Sequence, residues 1–224
     1  MKTSTFHHRN GAMTLIELLV VLAVITVLVA FVFVRSGRAK DGNGYARIRC
    51  LNNLKQAGLA FRIWEGDNSD KYPMAVSCTN GGAMEFTSGP NAFRTFQVMS
   101  NEISTPKVLI CPMETDNTRF IATNFNDFCN SNISYFVGLD AAETNATTLL
   151  LGDHNITNGT PLKNGLLALT TNRLAGWTKE VHNQIGNICL ADGNVQQDST
   201  TGLQDQIAQT GVVTNRLLMP ILGP

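Results

Sequence analysis

The sequence predicts an α+β chain: a long apolar N-terminal helix, broken near residues 37–44, and a β-rich globular head behind it. Three observations predict this. Residues 13–34 are apolar except for Thr14, Glu17 and Thr26. Residues 45–65 repeat apolar side chains at three- and four-residue steps, and 66–224 break into short apolar or β-branched runs between turn signals. The expected organisation is a leader at 1–12, an apolar helix at 13–34, a basic neck and helix continuation at 35–65, and a head at 66–224.

The 224 residues, 43% of them apolar, suffice for one ordinary core plus an appendage. The 17 basic and 17 acidic side chains cancel, so no nucleic-acid partner is expected. Their distribution is uneven. Residues 35–65 carry seven Lys/Arg against Asp41 and Glu65, a net +5, whereas 66–224 carry a net −6 from eight basic and fourteen acidic residues. Five cysteines stand far apart without a C-x-x-C pair or a histidine at zinc-like spacing, so no metal centre is expected. An exported head would allow a bridge such as Cys111 to Cys129, whose loop closure stabilises by roughly 3 kcal/mol in the chain-entropy model. Five small buried hydrophobes is the other reading.

The leader MKTSTFHHRNGA is polar and basic through Lys2 and Arg9. The 22 apolar residues after it would span about 33 Å as a helix, against a hydrocarbon core of about 30 Å. Secretory signal peptide, plain membrane anchor and prepilin leader are the alternatives. The apolar run exceeds a signal peptide's 7–15 residues. A plain anchor leaves Glu17 unexplained, because a carboxylate inside the bilayer costs about 2.5–3.5 kcal/mol on insertion scales. Positive charge is heavier after the helix (Arg35, Arg38, Lys40) than before it, against the positive-inside tendency, so charge counts do not orient the span.

The string Gly11-Ala12-Met13-Thr14-Leu15-Ile16-Glu17-Leu18-Leu19-Val20-Val21 resembles the type IV prepilin cleavage and methylation motif. The resemblance implies a cut between Ala12 and Met13, which places Glu17 fifth in the mature chain; Ala12 stands where the family usually has glycine. It implies a methylated α-amine on Met13 that pairs with Glu17 of a neighbouring subunit. It also implies a single-pass protein of the inner (cytoplasmic) membrane with its head exported. Implied partners are the prepilin peptidase, other pilin or pseudopilin subunits and membrane lipid.

Gly37, Asp41, Gly42, Asn43 and Gly44 are poor helix residues, which predicts the break. The helix should resume near Tyr45, bury Ile48, Leu51, Leu54, Gly58 and Phe61, and end at Gly66-Asp67-Asn68-Ser69, with Tyr72-Pro73 opening an extended segment. Trp64 and Trp177 read as core or interface residues. Expected strands are 134–139, 147–151, 165–170, 187–191 and 194–197, with Asp192-Gly193 as a type I′ hairpin turn. Residues 200–209 read as a helix capped by Ser199 and stopped by Gly211.

Arg47 to Gln56, Asp67-Asn68, Tyr72-Pro73, Val108 to Pro112, Ile133 to Leu139, Gly152 to Ile156, Gly211 to Pro220, and His182 spaced nine residues ahead of Asp192-Gly193 resemble a large bacterial family of pseudopilin-like proteins. That resemblance implies a non-enzymatic subunit, a pseudopilin or minor pilin, in a type II secretion-like or type IV pilus-like filament. His182, Asp192 and Gly193 are then structural: Asp192 shapes the hairpin and His182 hydrogen-bonds across it. The rival is a membrane-tethered exported hydrolase or metal-binding protein using His182 and Asp192. No Gly-x-Ser-x-Gly, His-Glu-x-x-His or phosphate loop accompanies them. No cofactor is expected, although some relatives carry a structural calcium and the oxygen-rich loops 67–70 and 114–117 would suit one.

Overall fold

The computed structural model describes residues 14–36, 42–115, 117–171 and 175–222, and their side chains except those of 31–36, 42 and 43. The leader with Ala12, the cleavage partner Met13, and residues 37–41 of the expected break lie outside this set. The chain divides into two units, Met1–Gly42 and Asn43–Pro224.

The first unit is helix α1, Leu15–Ser36. Every side chain from Leu15 to Ala30 is exposed, around the whole circumference. Those sixteen residues cover about 24 Å at 1.5 Å per residue, and among the described residues no helix is long and apolar enough to cross a membrane. The expected span over 13–34 reaches beyond the residues whose side chains are described.

The second unit holds α2 (Gly42–Asp67), α3 (Ala92–Val98), α4 (Ser100–Ile103), β1 (Tyr135–Gly138), β2 (Leu149–Asp153), β3 (Ile156–Thr157), β4 (Leu166–Leu169), β5 (Gly176–Trp177), β6 (Ile185–Leu190), β7 (Val195–Ser199), α5 (Thr200–Gln209) and β8 (Asn215–Leu218). Six strands form an antiparallel sheet in the order β4-β8-β1-β2-β6-β7, and β3 pairs with β5 apart from it. Both central strands, β1 and β2, are buried at every position, so the sheet is covered on both faces. Tyr135, Val137 and Leu151 pack with Leu54, Phe61 and Trp64 of α2. Phe136, Ile188 and Leu217 pack with Leu203 and Ile207 of α5 and with Trp177. Alternation along β1 and β8 thus gives three layers, the sheet lying between α2 and α5.

Helix α2 begins at Gly42, three residues earlier than expected, and its buried face is Cys50, Leu54, Ala57, Gly58, Phe61 and Trp64. Ile48, expected in that stripe, is 58% exposed. Gly58 has a packing reason: a Cβ there would come within 2.5 Å of Cys189 Sγ on β6. The helix stops where turn chemistry predicts, with Asn68 N and Asp70 N both donating to Glu65 O. Tyr72 is extended as expected, but Pro73–Ala75 then forms a 3₁₀ turn.

The five predicted strands appear as β1, β2, β4, β6 and β7, and α5 has the predicted bounds, Ser199 Oγ accepting from Gly202 N at 3.2 Å. Strand β8 was not anticipated; Asn215-Arg216 gives it a polar start. The hairpin turn differs from expectation. Gly193 N donates to Leu190 O, so Ala191 and Asp192 are the central residues, and Gly193 follows with φ 84°. This is a three-residue loop with glycine in the left-handed position, not a type I′ turn, which would need positive φ at Asp192.

Candidate functional site

Two places carry the residues singled out by sequence. At the start of α1, Thr14 N donates to Glu17 Oε2 (3.0 Å) and Glu17 N donates to Thr14 Oγ1 (3.4 Å). This reciprocal pair is a capping box, in which Thr14 precedes the helix and Glu17 is its third residue. The T-x-x-E spacing is readable in the sequence, and the capping role stands beside the intersubunit pairing that the resemblance implies for Glu17. Around it, Leu15, Ile16, Leu18, Leu19 and Val20 are exposed to between 49% and 79%, an apolar surface that calls for a lipid or protein cover.

The second place is a buried cluster in the head. Cys111 forms a disulfide with Cys50, not with Cys129, which is a free thiol. Cys50 sits on the sheet-facing side of α2, where the 3₁₀ turn Pro106–Leu109 delivers Cys111 with a Cα–Cα distance of 5.0 Å. Cys129 instead opens another 3₁₀ turn, its thiol donating to Asn132 Oδ1. Sequence spacing favours short loops, whereas the fold brings together residues 61 apart.

His182 lies fully buried against this bridge, Nε2 3.3 Å from Cys111 Sγ. The same nitrogen is 3.2 Å from Asp153 Oδ2 and 3.1 Å from Asn187 Nδ2. Asp153 Oδ2 in turn accepts from Asn187 N (2.7 Å) and Asn187 Nδ2 (2.8 Å). Burial raises the Asp153 carboxyl to about 7 despite the lowering by those two bonds, and burial followed by the charge of Arg47 lowers His182 to about 4. Burial thus favours the uncharged form of both groups. His182 Nδ1 and Asp153 Oδ1 meet no hydrogen-bond partner among the described residues.

The loop presenting His182 has positive φ at Val181, Asn183 and Gln184 (58°, 55° and 67°). Asn155 Nδ2 holds it by donating to the carbonyls of Thr178, Glu180 and Ile185. Asp192 is not in this cluster. Its Oδ1 accepts from Asn194 N (2.8 Å) within the hairpin turn. The preceding Ala191 carbonyl accepts from Tyr72 Oη (2.6 Å) and Arg62 NH1 (3.4 Å), which ties the turn to α2. Asp192 thus shapes the turn and His182 bonds into the hairpin at Asn187 on β6, as expected, whereas the His182–Asp192 pair of the rival reading gives way to contacts of His182 with Asp153, Asn187 and the disulfide.

His154, next to Asp153, serves a separate ionic group. Its Nε2 lies 3.0 Å from Glu114 Oε2, which also accepts from Ser134 Oγ (2.9 Å), with Arg119 Nε at 3.7 Å. Burial raises the Glu114 carboxyl, but the bonds from His154 and Ser134 and the charge of Arg119 outweigh it and hold the group below its usual range. This group sits at a cleft of about 610 Å³ that is also lined by Thr157, Leu167, Glu180 and Met219. For calcium, neither loop 67–70 nor loop 114–117 gathers three acidic groups among the described residues; the one metal-competent grouping there is Cys50, Cys111 and His182. Sequence reasoning missed Cys50, Asn187 and Asn155, each with partners remote in the chain, and read Glu114 only as part of an oxygen-rich loop.

An α+β head and an N-terminal apolar helix exposed on all sides define a protein whose helix is built to be covered. Residues 7–33 match the prokaryotic N-terminal methylation motif, which supports a type IV pilin-like protein of a kind typically structural and not catalytic. No curated protein and no solved structure matches the chain.

Proposed function

We propose that the chain is a structural subunit, a pseudopilin or minor pilin, of a type II secretion-like or type IV pilus-like filament. Prepilin peptidase cuts between Ala12 and Met13, residues 13–34 hold the subunit in the cytoplasmic membrane with the head exported, and the helix then packs with other subunits. The methylation-motif match over residues 7–33, whose part from Leu15 onward falls on α1 with every described side chain exposed, carries this reading. The head adds support. His182 is fully buried and apart from Asp192, so the pair imagined for a hydrolase is not assembled at a surface. Intact-mass measurement of the mature protein tests processing: a methylated chain beginning at Met13 is expected, and an N-terminus at Met1, Ser36 or Gly37 refutes it. Recovery of the protein in sheared filaments tests assembly, and exclusive recovery in membranes of an assembly-competent cell overturns the filament role.

A further inference from the structure

The disulfide and His182 form a donor set whose geometry reaches beyond a structural bridge. Cys50 Sγ, Cys111 Sγ and one ring nitrogen of His182 all lie within 4.8 Å of one another, and all three residues are buried. A tetrahedral zinc with Zn–S near 2.3 Å and Zn–N near 2.0 Å needs a sulfur–nitrogen separation of about 3.5 Å and a sulfur–sulfur separation of about 3.7 Å. The first is nearly met, since Cys111 Sγ lies 3.3 Å from His182 Nε2. The second requires only that the S–S bond be broken and the sulfurs move apart.

We propose that the reduced head binds one soft divalent cation, zinc or cadmium, through Cys50, Cys111 and His182, so that metal and disulfide are alternative cross-links between the same two cysteines. The chemistry balances in two steps. A thiol or phosphine reductant gives two electrons to the S–S bond and is itself oxidised, leaving two protonated thiols. The cation then displaces both thiol protons to solvent, and the two thiolates cancel its charge, which is the condition for holding a divalent ion in a buried site. His182 offers Nε2 as a neutral imidazole with the ring proton on Nδ1. Asp153 Oδ2, 3.2 Å from Nε2, is an oxygen within reach for the fourth position. Because Nδ1 meets no hydrogen-bond acceptor among the described residues, the site lacks the outer partner that usually strengthens a histidine ligand. Affinity below that of a fully buttressed zinc site follows.

Both cross-links close the same loop, since Cys50 and Cys111 are 61 residues apart. A head in the thiol state would be held in its native connectivity by metal, and its thiols kept from pairing with the free Cys78, Cys129 or Cys189.

The test uses the full chain in detergent, reduced with a phosphine, desalted without oxygen and titrated with cobalt and zinc chlorides. Expected are one equivalent of cobalt with thiolate-to-metal charge-transfer absorption, its displacement by zinc, and no uptake by the oxidised protein. Cys129→Ser should bind as wild type, Cys111→Ser should lose the charge-transfer band, and His182→Gln should bind at least about tenfold more weakly. Absence of uptake by the reduced chain, uptake without charge transfer, or uptake unchanged in both Cys111→Ser and His182→Gln overturns the proposal. Far-ultraviolet circular dichroism covers the case in which reduction unfolds the head: zinc must then restore the native spectrum, and failure to do so also overturns it.

Discussion

Replacing both Cys50 and Cys111 by alanine should cost the head about 5 kcal/mol of stability. The bridge spans 61 residues, and the chain-entropy model assigns a loop of that length about 4 kcal/mol. Both side chains are fully buried, Cys50 within α2's buried face and Cys111 against His182, so truncation adds roughly 1 kcal/mol of lost packing. Domains are commonly stable by about 5–15 kcal/mol, so a loss near 5 is severe. The assay is urea denaturation of residues 43–224 followed by the fluorescence of the buried Trp64 and Trp177, where a drop in midpoint of about 2.5 M is expected at a slope near 2 kcal/mol per M. Phosphine reduction of the wild type should reproduce most of that drop, and the double variant should be insensitive to reductant. Cys129→Ala should leave the midpoint within about 0.5 M. A large loss in Cys129→Ala, or a Cys111–Cys129 peptide in a non-reducing digest, would refute the pairing and the His182 environment built on it.

The capping box makes Glu17 testable by two substitutions. Glu17→Gln keeps a side chain able to bond Thr14 N but removes the charge, whereas Glu17→Val removes both and costs about 1 kcal/mol at the helix start. If a neighbour's α-amine pairs with this carboxylate, both variants should be cleaved normally yet remain in membranes, because losing one partner of a desolvated pair costs roughly 3–5 kcal/mol. Wild-type amounts of Glu17→Gln in sheared filaments would leave Glu17 with its capping role alone. Gly58→Ala should destabilise the head despite alanine's higher helix propensity, because its Cβ meets Cys189 Sγ at 2.5 Å. Adding Cys189→Ala should recover stability in a double-mutant cycle, and additive losses would show that the contact is not the cause. Glu114 has a lowered folded pKa, so its contribution is present above the unfolded value near 4.3 and lost as pH falls through the folded one. Glu114→Gln should cost roughly 2 kcal/mol at pH 7 and flatten the acid side of the stability profile below about pH 4. A parallel acid profile in the variant would assign that pH dependence to other groups.

Local signals were legible wherever local chemistry decides the outcome. The five strands, the Ser199-capped helix and the end of α2 at Asn68 each follow from residues within a few positions of one another. The hairpin at Asp192-Gly193 was read in the right place with the wrong turn, because the Asp-Gly pair alone does not say whether Ala191 joins the loop. Tertiary contacts were not legible. The helical stripe was right at Leu54, Gly58 and Phe61 and failed only at its start, where Cys50, which reads as a small neutral residue until Cys111 arrives opposite it, is buried in place of Ile48. His182 shows the same limit. Its spacing to Asp192 marks the two ends of one structural unit, but the fold uses them for different purposes: Asp192 closes the turn, while His182 reaches back past Asn187 to Asp153 and the bridge. A fixed interval between a histidine and a hairpin can therefore arise without the two ever meeting. The interval is the length of chain needed to run from the loop, through β6, to the turn that Tyr72 and Arg62 fasten to α2.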